Sequence, residues 1–227
     1  MSMIETAKVA VVIAPHPDDE VLGCGGTMAR LADAGVEVHV IIMTRGRAPD
    51  FSPAQMDHLV TEARAAHRML GVFQTHFLDL PAARLDTLPI ADVNGQLGRI
   101  LWPIQPDTMF VPFIGDIHFD HQIAFTAAMV CARPRAIGSP MRIYAYETLS
   151  ETNWYAPGIT PPFVPNMYVD IGAYLGRKLG AFQCFASQVK SFPDERSVEA
   201  LRALATLRGA TVFKEAAEAF MVVRQID

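Results

Sequence analysis

The 227-residue chain is predicted to be an α/β protein with a doubly wound, mostly parallel, Rossmann-like sheet and helices on both faces. Short apolar runs rich in β-branched residues alternate with segments of helical periodicity, as expected for buried parallel strands joined by crossover helices. The length suits one large domain, and we expect a single domain over residues 1–227.

The first half of the chain shows this alternation most clearly. The first strand, at 9–14, ends at Pro15 and Pro17 because proline cannot continue a sheet ladder. Gly35 and Gly71 end the first two helices. The pattern predicts strands at 9–14, 36–44, 72–80 and 108–112, and helices at 19–34, 53–70, 90–105 and 121–131.

The second half continues the pattern less regularly. Residues 150–165 are rich in proline and aromatic side chains without periodicity, so we expect a long surface loop that could wall a pocket. The other predicted elements are strands at 142–148 and 168–171, helices at 172–186 and 197–208, and a final apolar stretch at 220–223.

Composition and charge argue against several function classes. The net charge of −5 and the scattered basic residues make nucleic acid a poor partner. No apolar run approaches the roughly 18 to 20 residues of a membrane span. The N-terminus lacks a signal-peptide pattern, so a cytoplasmic location is expected. Three scattered cysteines, Cys24, Cys131 and Cys184, disfavour a disulfide framework and a cysteine-bound zinc ion.

Two loops concentrate histidine and aspartate. Residues 16–19 follow the first strand and residues 116–121 follow the fourth. With strand order 3-2-1-4-5, these loops flank the switch point where ligands bind. Two imidazoles and a carboxylate meeting there suit a zinc ion with an open position for water, whose pKa such an ion lowers to about 7. A further carboxylate could accept the proton of that water, and a further histidine could stabilise an oxyanion.

Simpler interpretations exist for several of these residues. Taken alone, Asp18 or Asp19 before a helix is an N-cap. Gly23, Gly25 and Gly26 lack the spacing of a dinucleotide fingerprint and favour close packing of the first helix on the sheet. For Asp116, a structural role in the loop and a catalytic role are equal alternatives. The remaining histidines lie inside predicted elements and are expected to be ordinary surface or core residues: His39, His58, His67 and His76.

The motifs together resemble a known family. Ala14-x-His16-Pro17-Asp18-Asp19-Glu20, followed by Gly23-x-Gly25-Gly26 and later by His118-x-Asp120-His121, is similar to the zinc-dependent LmbE/PIG-L N-acetyl sugar deacetylases. The resemblance extends over most of the chain. It includes Glu62-Ala63, Leu70-Gly71, Ser187-Gln188, Arg196-Ser197, Arg208-Gly209 and Glu218-Ala219-Phe220.

The resemblance implies roles for individual residues. It implies that His16, Asp19 and His121 bind Zn²⁺, although such ligands also accept Fe²⁺ or Co²⁺. It assigns the general base to Asp18.

Three neighbouring residues would complete the site. His118 would stabilise the tetrahedral intermediate and serve as an acid, and Asp120 would hold the ring of His118. Glu20 would support the metal ligands from behind.

One segment departs from the family pattern. Family members often carry a Gly-Glu pair after the second strand, where this chain has Thr44-Arg45-Gly46-Arg47. Arg45 and Arg47 are either solvated loop residues or contacts for a phosphate or carboxylate of the substrate.

The implied activity is hydrolysis of the acetamide of an N-acetylated amino sugar or its conjugate, and relatives suggest a homotrimer or homohexamer. The alternatives are a zinc amidase acting on a non-sugar amide and a protein that binds a sugar or nucleotide without turnover. The presence of both Asp18 and His118 argues against the binding protein, because binding requires neither a base nor an oxyanion donor.

Overall fold

A single seven-stranded sheet organises the computed structural model, which describes residues 2–135, 138–156 and 158–226. The strands are β1 (Val9–Ala14), β2 (Glu37–Arg45), β3 (Gln74–Pro81), β4 (Thr108–Pro112), β5 (Arg142–Tyr146), β6 (Met167–Asp170) and β7 (Ala217–Gln225). Their order is β3-β2-β1-β4-β5-β7-β6. The predicted α/β class and the order 3-2-1-4-5 are confirmed.

The sheet is mixed because its last two strands reverse direction. The strands from β1 to β5 pair in parallel, whereas β7 runs antiparallel to both β5 and β6. β7 thus lies between β5 and β6 in the sheet, an arrangement that the apolar stretch at 220–223 did not predict.

The helices cover both faces of the sheet. They are α1 (Met3–Thr6), α2 (Asp19–Asp33), α3 (Pro53–Leu70), α4 (Ile90–Ile104), α5 (Phe119–Cys131), α6 (Leu175–Gln183) and α7 (Val198–Thr211), with 3₁₀ turns at Leu85–Thr87 and Gly172–Tyr174. The helix predicted at 172–186 is therefore shorter and begins with a 3₁₀ turn. α5 begins two residues earlier than predicted because the ring of His118 caps it, accepting a hydrogen bond from the N–H of Asp120.

Two hydrophobic clusters explain the continuous apolar strands. In β1, Val12 belongs to the cluster beneath α2, α3, α6 and α7, whereas Val11 and Ile13 belong to the cluster beneath α4 and α5. Successive side chains of a strand point to opposite faces, so a sheet covered on both sides needs apolar residues at every position.

Close packing of α2 explains two of its glycines. A Cβ atom on Gly26 would lie 2.7 Å from Cγ2 of Ile171, and one on Gly23 would overlap the ring of Tyr146 in β5. Any larger residue at these positions would push the helix away from the sheet. The expected packing role is confirmed for Gly23 and Gly26.

Across the ranges that the structure describes, every helix is either too short or too polar to cross a membrane.

Candidate active site

The loops after β1 and β4 meet at the carboxyl edge of the sheet because these two strands are neighbours. His16 and Asp19 come from the first loop and the start of α2, and His121 comes from the first turn of α5. Ligand atoms of these three residues lie within 4.8 Å of one another. The carboxylate Oδ2 of Asp19 lies 3.3 Å from Nδ1 of His16 and 3.2 Å from Nε2 of His121. The structure thus brings the predicted metal ligands together.

Unpartnered buried atoms indicate that this group suits a metal ion. Asp19 and His121 are fully buried. Yet Nε2 of His121 and Oδ1 of Asp19 have no hydrogen-bond partner among the described residues, since the contact between Nε2 and Asp19 lacks hydrogen-bond geometry. Buried polar atoms without partners are destabilising. Imidazole nitrogen and carboxylate oxygen are donors that Zn²⁺, Fe²⁺ and Co²⁺ accept, so the residues fit a divalent ion.

Asp116 fixes the orientation of the His121 ring. Its Oδ2 lies 2.8 Å from Nδ1 of His121, and its Oδ1 accepts a hydrogen bond of 2.6 Å from the hydroxyl of Thr152. A carboxylate behind a histidine ligand holds the proton on one ring nitrogen and leaves the other free for the metal. Asp116 therefore supports the candidate ligand His121.

The carboxylate of Asp120 contacts His16, whereas the sequence predicted a contact with the ring of His118. Oδ2 of Asp120 lies 3.0 Å from Nε2 of His16, and the backbone N–H groups of Ala83 and Leu85 donate to its two oxygens. Only the backbone N–H of Asp120 reaches His118, at 3.0 Å from Nδ1, because His118 is the N-cap of α5.

His16, His118 and Asp120 form a second close group of candidate ligands. Because both oxygens of Asp120 already accept backbone hydrogen bonds, we interpret this group as an orienting contact for His16.

The electrostatic field at the site favours positive charge. Burial acts to lower the pKa of His16, but hydrogen bonds that its ring donates to the carboxylates of Asp120 and Asp19 outweigh it and raise the pKa to about 9. Burial also acts to lower the pKa of His121, but the neighbouring carboxylates of Asp19 and Asp116 outweigh it and raise this pKa. The same carboxylates would stabilise a divalent cation in place of protons on the two rings.

Asp18 is held in a strained conformation beside these ligands. Its φ of 110° lies in the left-handed region, which side chains other than glycine rarely adopt. Oδ2 accepts a hydrogen bond of 2.6 Å from Nη1 of Arg196, whereas the buried Oδ1 has no partner among the described residues. Burial raises the pKa of Asp18, and the charge of Arg196 acts against it. The side chain of Asp18 makes no helix-cap hydrogen bond, so the simple capping interpretation is wrong for this residue.

A chain of buried hydrogen bonds supports the backbone of Asp18. Its N–H donates to Oε2 of Glu20 at 3.1 Å, and Oε1 of Glu20 lies 2.8 Å from Nε2 of His67. Nδ1 of His67 in turn lies 2.7 Å from the hydroxyl of Thr75. Glu20 therefore supports the backbone between the candidate ligands His16 and Asp19, and its role in the site stays a prediction. His67 is a satisfied core residue, as predicted.

The site opens into a cavity of about 680 Å³. Arg45 lines this cavity and is paired with Asp57 at 2.6 Å, whereas Arg47 donates to the carbonyl oxygen of Asp79 at 2.6 Å. Cavity-lining residues near the metal group and on the outer walls include His16, Asp18, His118, Glu151, Arg196, Phe51, Met56, Phe77, Ser187 and Gln188.

Two charged residues of the cavity were not assigned roles from the sequence. Arg196 lies within the family resemblance, but its contact with Asp18 joins residues 178 positions apart. Glu151 belongs to the segment predicted to wall a pocket, and it does line the cavity. The irregular loop gave no pattern that would distinguish this glutamate from its neighbours.

The chain is similar to several known proteins. Diacetylchitobiose deacetylase of Thermococcus kodakarensis is 29% identical over 201 residues, which cover 83% of this chain and 72% of that protein. The conserved protein TT1542 from Thermus thermophilus is 26% identical, with 96% of each chain covered and a TM-score of 0.79. N,N'-diacetylchitobiose deacetylase from Pyrococcus horikoshii, in complex with its inhibitor MPG, is 26% identical, with 97% of this chain and 85% of that chain covered and a TM-score of 0.77.

The sequence profile of the PIG-L family, described as GlcNAc-PI de-N-acetylase, matches residues 11–132. The match covers more than half of the chain and includes both loops that meet at the carboxyl edge of the sheet. The chain therefore belongs to the PIG-L (LmbE) family.

Proposed function

We propose that this protein is a zinc-dependent N-deacetylase that removes the acetyl group from an N-acetylated amino sugar or its conjugate. The observation that carries the proposal is the unpartnered, buried Oδ1 of Asp18, beside the candidate ligands His16, Asp19 and His121. Relatives named as diacetylchitobiose deacetylases support the sugar substrate.

His16, Asp19 and His121 would hold the metal ion, and zinc is the proposed ion because two imidazoles and one carboxylate are a common catalytic zinc set. When bound, such an ion supplies Lewis acidity, which lowers the pKa of water and polarises an amide carbonyl.

Asp18 would accept the proton of the attacking water. Its Oδ1 is free to do so, while Arg196 and Glu20 hold the other oxygen and the backbone. Water adds to the acetamide carbon, the carbon–nitrogen bond breaks, and the proton taken from water passes to the leaving nitrogen. The products are acetate and the free amine.

His118 would donate a hydrogen bond to the developing oxyanion. Its Nδ1 accepts the backbone N–H of Asp120, so a neutral ring carries its proton on Nε2. Burial lowers the pKa of His118, which favours this neutral form. A neutral imidazole donor suits oxyanion stabilisation, the first of the two roles that the family resemblance implies.

The proposal is tested by acetate release from a panel containing N-acetylglucosamine, N-acetylgalactosamine and diacetylchitobiose, with and without a chelator. We expect zinc-dependent release from at least one sugar, and a loss of kcat of about 10²- to 10⁴-fold for Asp18→Asn. Asp86→Asn, at an exposed position, is the matched control and should retain full activity.

Each alternative predicts a different outcome. Zinc binding without release from any sugar or non-sugar amide would indicate a binding protein, and release from non-sugar amides alone would indicate the other amidase. Unchanged activity of Asp18→Asn would contradict the assigned base. A domain spanning residues 1–227, a cytoplasmic location, and a trimer or hexamer remain predictions.

A further inference from the structure

The loop after β5 carries Glu151 to the wall of the cavity. Both oxygens of Glu195 hold this loop, since Oε2 accepts the N–H of Ser150 at 2.7 Å and Oε1 accepts the side-chain N–H groups of Asn153 and Trp154 at 2.9 and 2.7 Å. Such bonds tie residues on both sides of Glu151 to one carboxylate.

The same loop is attached to the metal site from the opposite direction. The hydroxyl of Thr152 donates to Asp116, which holds the ring of His121. The backbone carbonyl of Glu151 accepts the N–H of Ile117 at 3.3 Å. The position of Glu151 is therefore coupled to the position of a candidate metal ligand, as pre-organised recognition requires.

The carboxylate of Glu151 has no hydrogen bond or ion pair with the residues that the structure describes. The nearby guanidinium of Arg196 is already committed to Asp18 and to the hydroxyl of Ser150. The side chain is half-buried, and burial raises the pKa of Glu151 to about 7. A fixed, unpaired and partly desolvated carboxylate on a cavity wall is a ready acceptor for donors of a ligand.

We propose that Glu151 determines substrate specificity, selecting N-acetyl sugars with free hydroxyl groups near the acetamide and rejecting those with an acidic substituent there. This inference rests on the proposed function and deepens it. An ionised carboxylate accepts hydrogen bonds from sugar hydroxyls, whereas it repels a second anion at close range.

Arg45 also lines the cavity, where its guanidinium is paired with the exposed Asp57 at 2.6 Å. The exclusion of anions is therefore assigned to Glu151 and not to the cavity as a whole.

The test compares N-acetylglucosamine with N-acetylmuramic acid, which carries an acidic lactyl ether next to the acetamide. Assays at pH 8.5 keep Glu151 ionised. For Glu151→Gln we expect kcat/KM to fall about tenfold for N-acetylglucosamine and to rise about tenfold for N-acetylmuramic acid. Glu151→Asp keeps the charge on a shorter side chain, so it should lose activity on the first sugar without gaining it on the second.

Glu37→Gln is the matched control, because Glu37 is exposed at the start of β2 and pairs with Val9 at the opposite edge of the sheet. It should leave the ratio of the two kcat/KM values unchanged. An unchanged ratio in Glu151→Gln would overturn the inference.

Calorimetric Kd values for both sugars separate the inference from the proposed function. If the wild-type protein releases no acetate, the proposed function fails, and the preference is then determined from binding. Tighter binding of N-acetylmuramic acid by Glu151→Gln than by wild type would support the inference, and equal binding would overturn it.

Discussion

Two clusters of buried charge differ in whether their atoms are paired. In the first, Nζ of Lys178 contacts Oε1 of Glu218 at 2.5 Å and the carbonyl oxygen of Leu22 at 2.7 Å. The backbone N–H groups of Gly26 and Thr27 donate hydrogen bonds to the two carboxylate oxygens of Glu218, at 2.8 and 2.7 Å. In the second cluster, at the carboxyl edge of the sheet, Asp18 and Asp19 each keep one oxygen that has no partner in the described part of the chain.

The difference separates structural charges from charges available to a ligand. Isolated buried charges are strongly destabilising. A cluster whose charged atoms are all paired avoids this cost without a ligand, so a structural role is enough to explain it. Buried polar atoms without a partner lower stability unless a ligand binds to them. We infer that the Lys178 cluster holds α2 in position. Because Asp18 and Asp19 lie at the start of α2, this also holds their unpartnered oxygens in place for a ligand.

The largest expected effect on stability comes from breaking the paired cluster. Lys178→Met leaves Glu218 buried without its counter-charge, so the free energy of unfolding should fall by about 3–5 kcal/mol. Urea denaturation measures this change. The double variant Lys178→Met/Glu218→Gln removes both charges and should recover part of the loss.

Asp18→Asn provides the contrast. It removes a charge that burial disfavours, and the amide oxygen can still accept the hydrogen bond from Arg196, so we expect its unfolding free energy to fall by less than that of Lys178→Met while activity is lost. If Lys178→Met were equally harmless, the distinction between the two clusters would be wrong.

The support beneath Asp18 provides a second, smaller test. His67→Leu leaves Oε1 of Glu20 without its donor and loosens the hydrogen bond to the backbone of Asp18. We expect kcat to fall about tenfold with little change in KM, and stability to fall by about 1–3 kcal/mol.

His67→Gln is the matched control, because its side-chain amide can still donate to Glu20. It should recover most of kcat. A loss of kcat that the glutamine does not reverse would show that His67 acts through packing alone.

The sequence predicted the fold because strand and helix periodicity identifies regular elements. Strand order then predicted that the loops at 16–19 and 116–121 meet, whereas the choice of His16, Asp19 and His121 as ligands came from the family resemblance. The partner of Asp120 could not be predicted, because it depends on α5 beginning at Phe119 and on backbone N–H groups at Ala83 and Leu85. Arg196 and Glu151 lie in irregular segments, where contacts depend on loop conformation rather than on periodicity.

The smallest expected effect concerns a polar pair remote from both charged clusters. Nδ1 of His39 lies 3.2 Å from Nε2 of His76, and burial lowers the pKa of both rings. The nearby Glu37 acts in the opposite direction on His39 but is outweighed. Since the folded-state pKa values lie below the unfolded value of about 6.5, the contribution to stability is complete above that pH. It is lost as the pH falls through the lowered pKa values.

Urea unfolding of the wild type and of His39→Gln at pH 7.5 and 5.5, with a chelator present so that metal release does not contribute, isolates this loss. The raised pKa values of His16 and His121 change stability in the opposite direction over this range, but both proteins share that effect. Because glutamine removes one of the two titrating rings, the unfolding free energy of the wild type should fall on acidification, relative to that of His39→Gln, by under about 1 kcal/mol. An equal change in the two proteins would mean that the histidine pair does not contribute to the acid sensitivity. Such a relative fall would show that burial keeps this histidine pair neutral, whereas the carboxylates around His16 and His121 raise the pKa of those two rings.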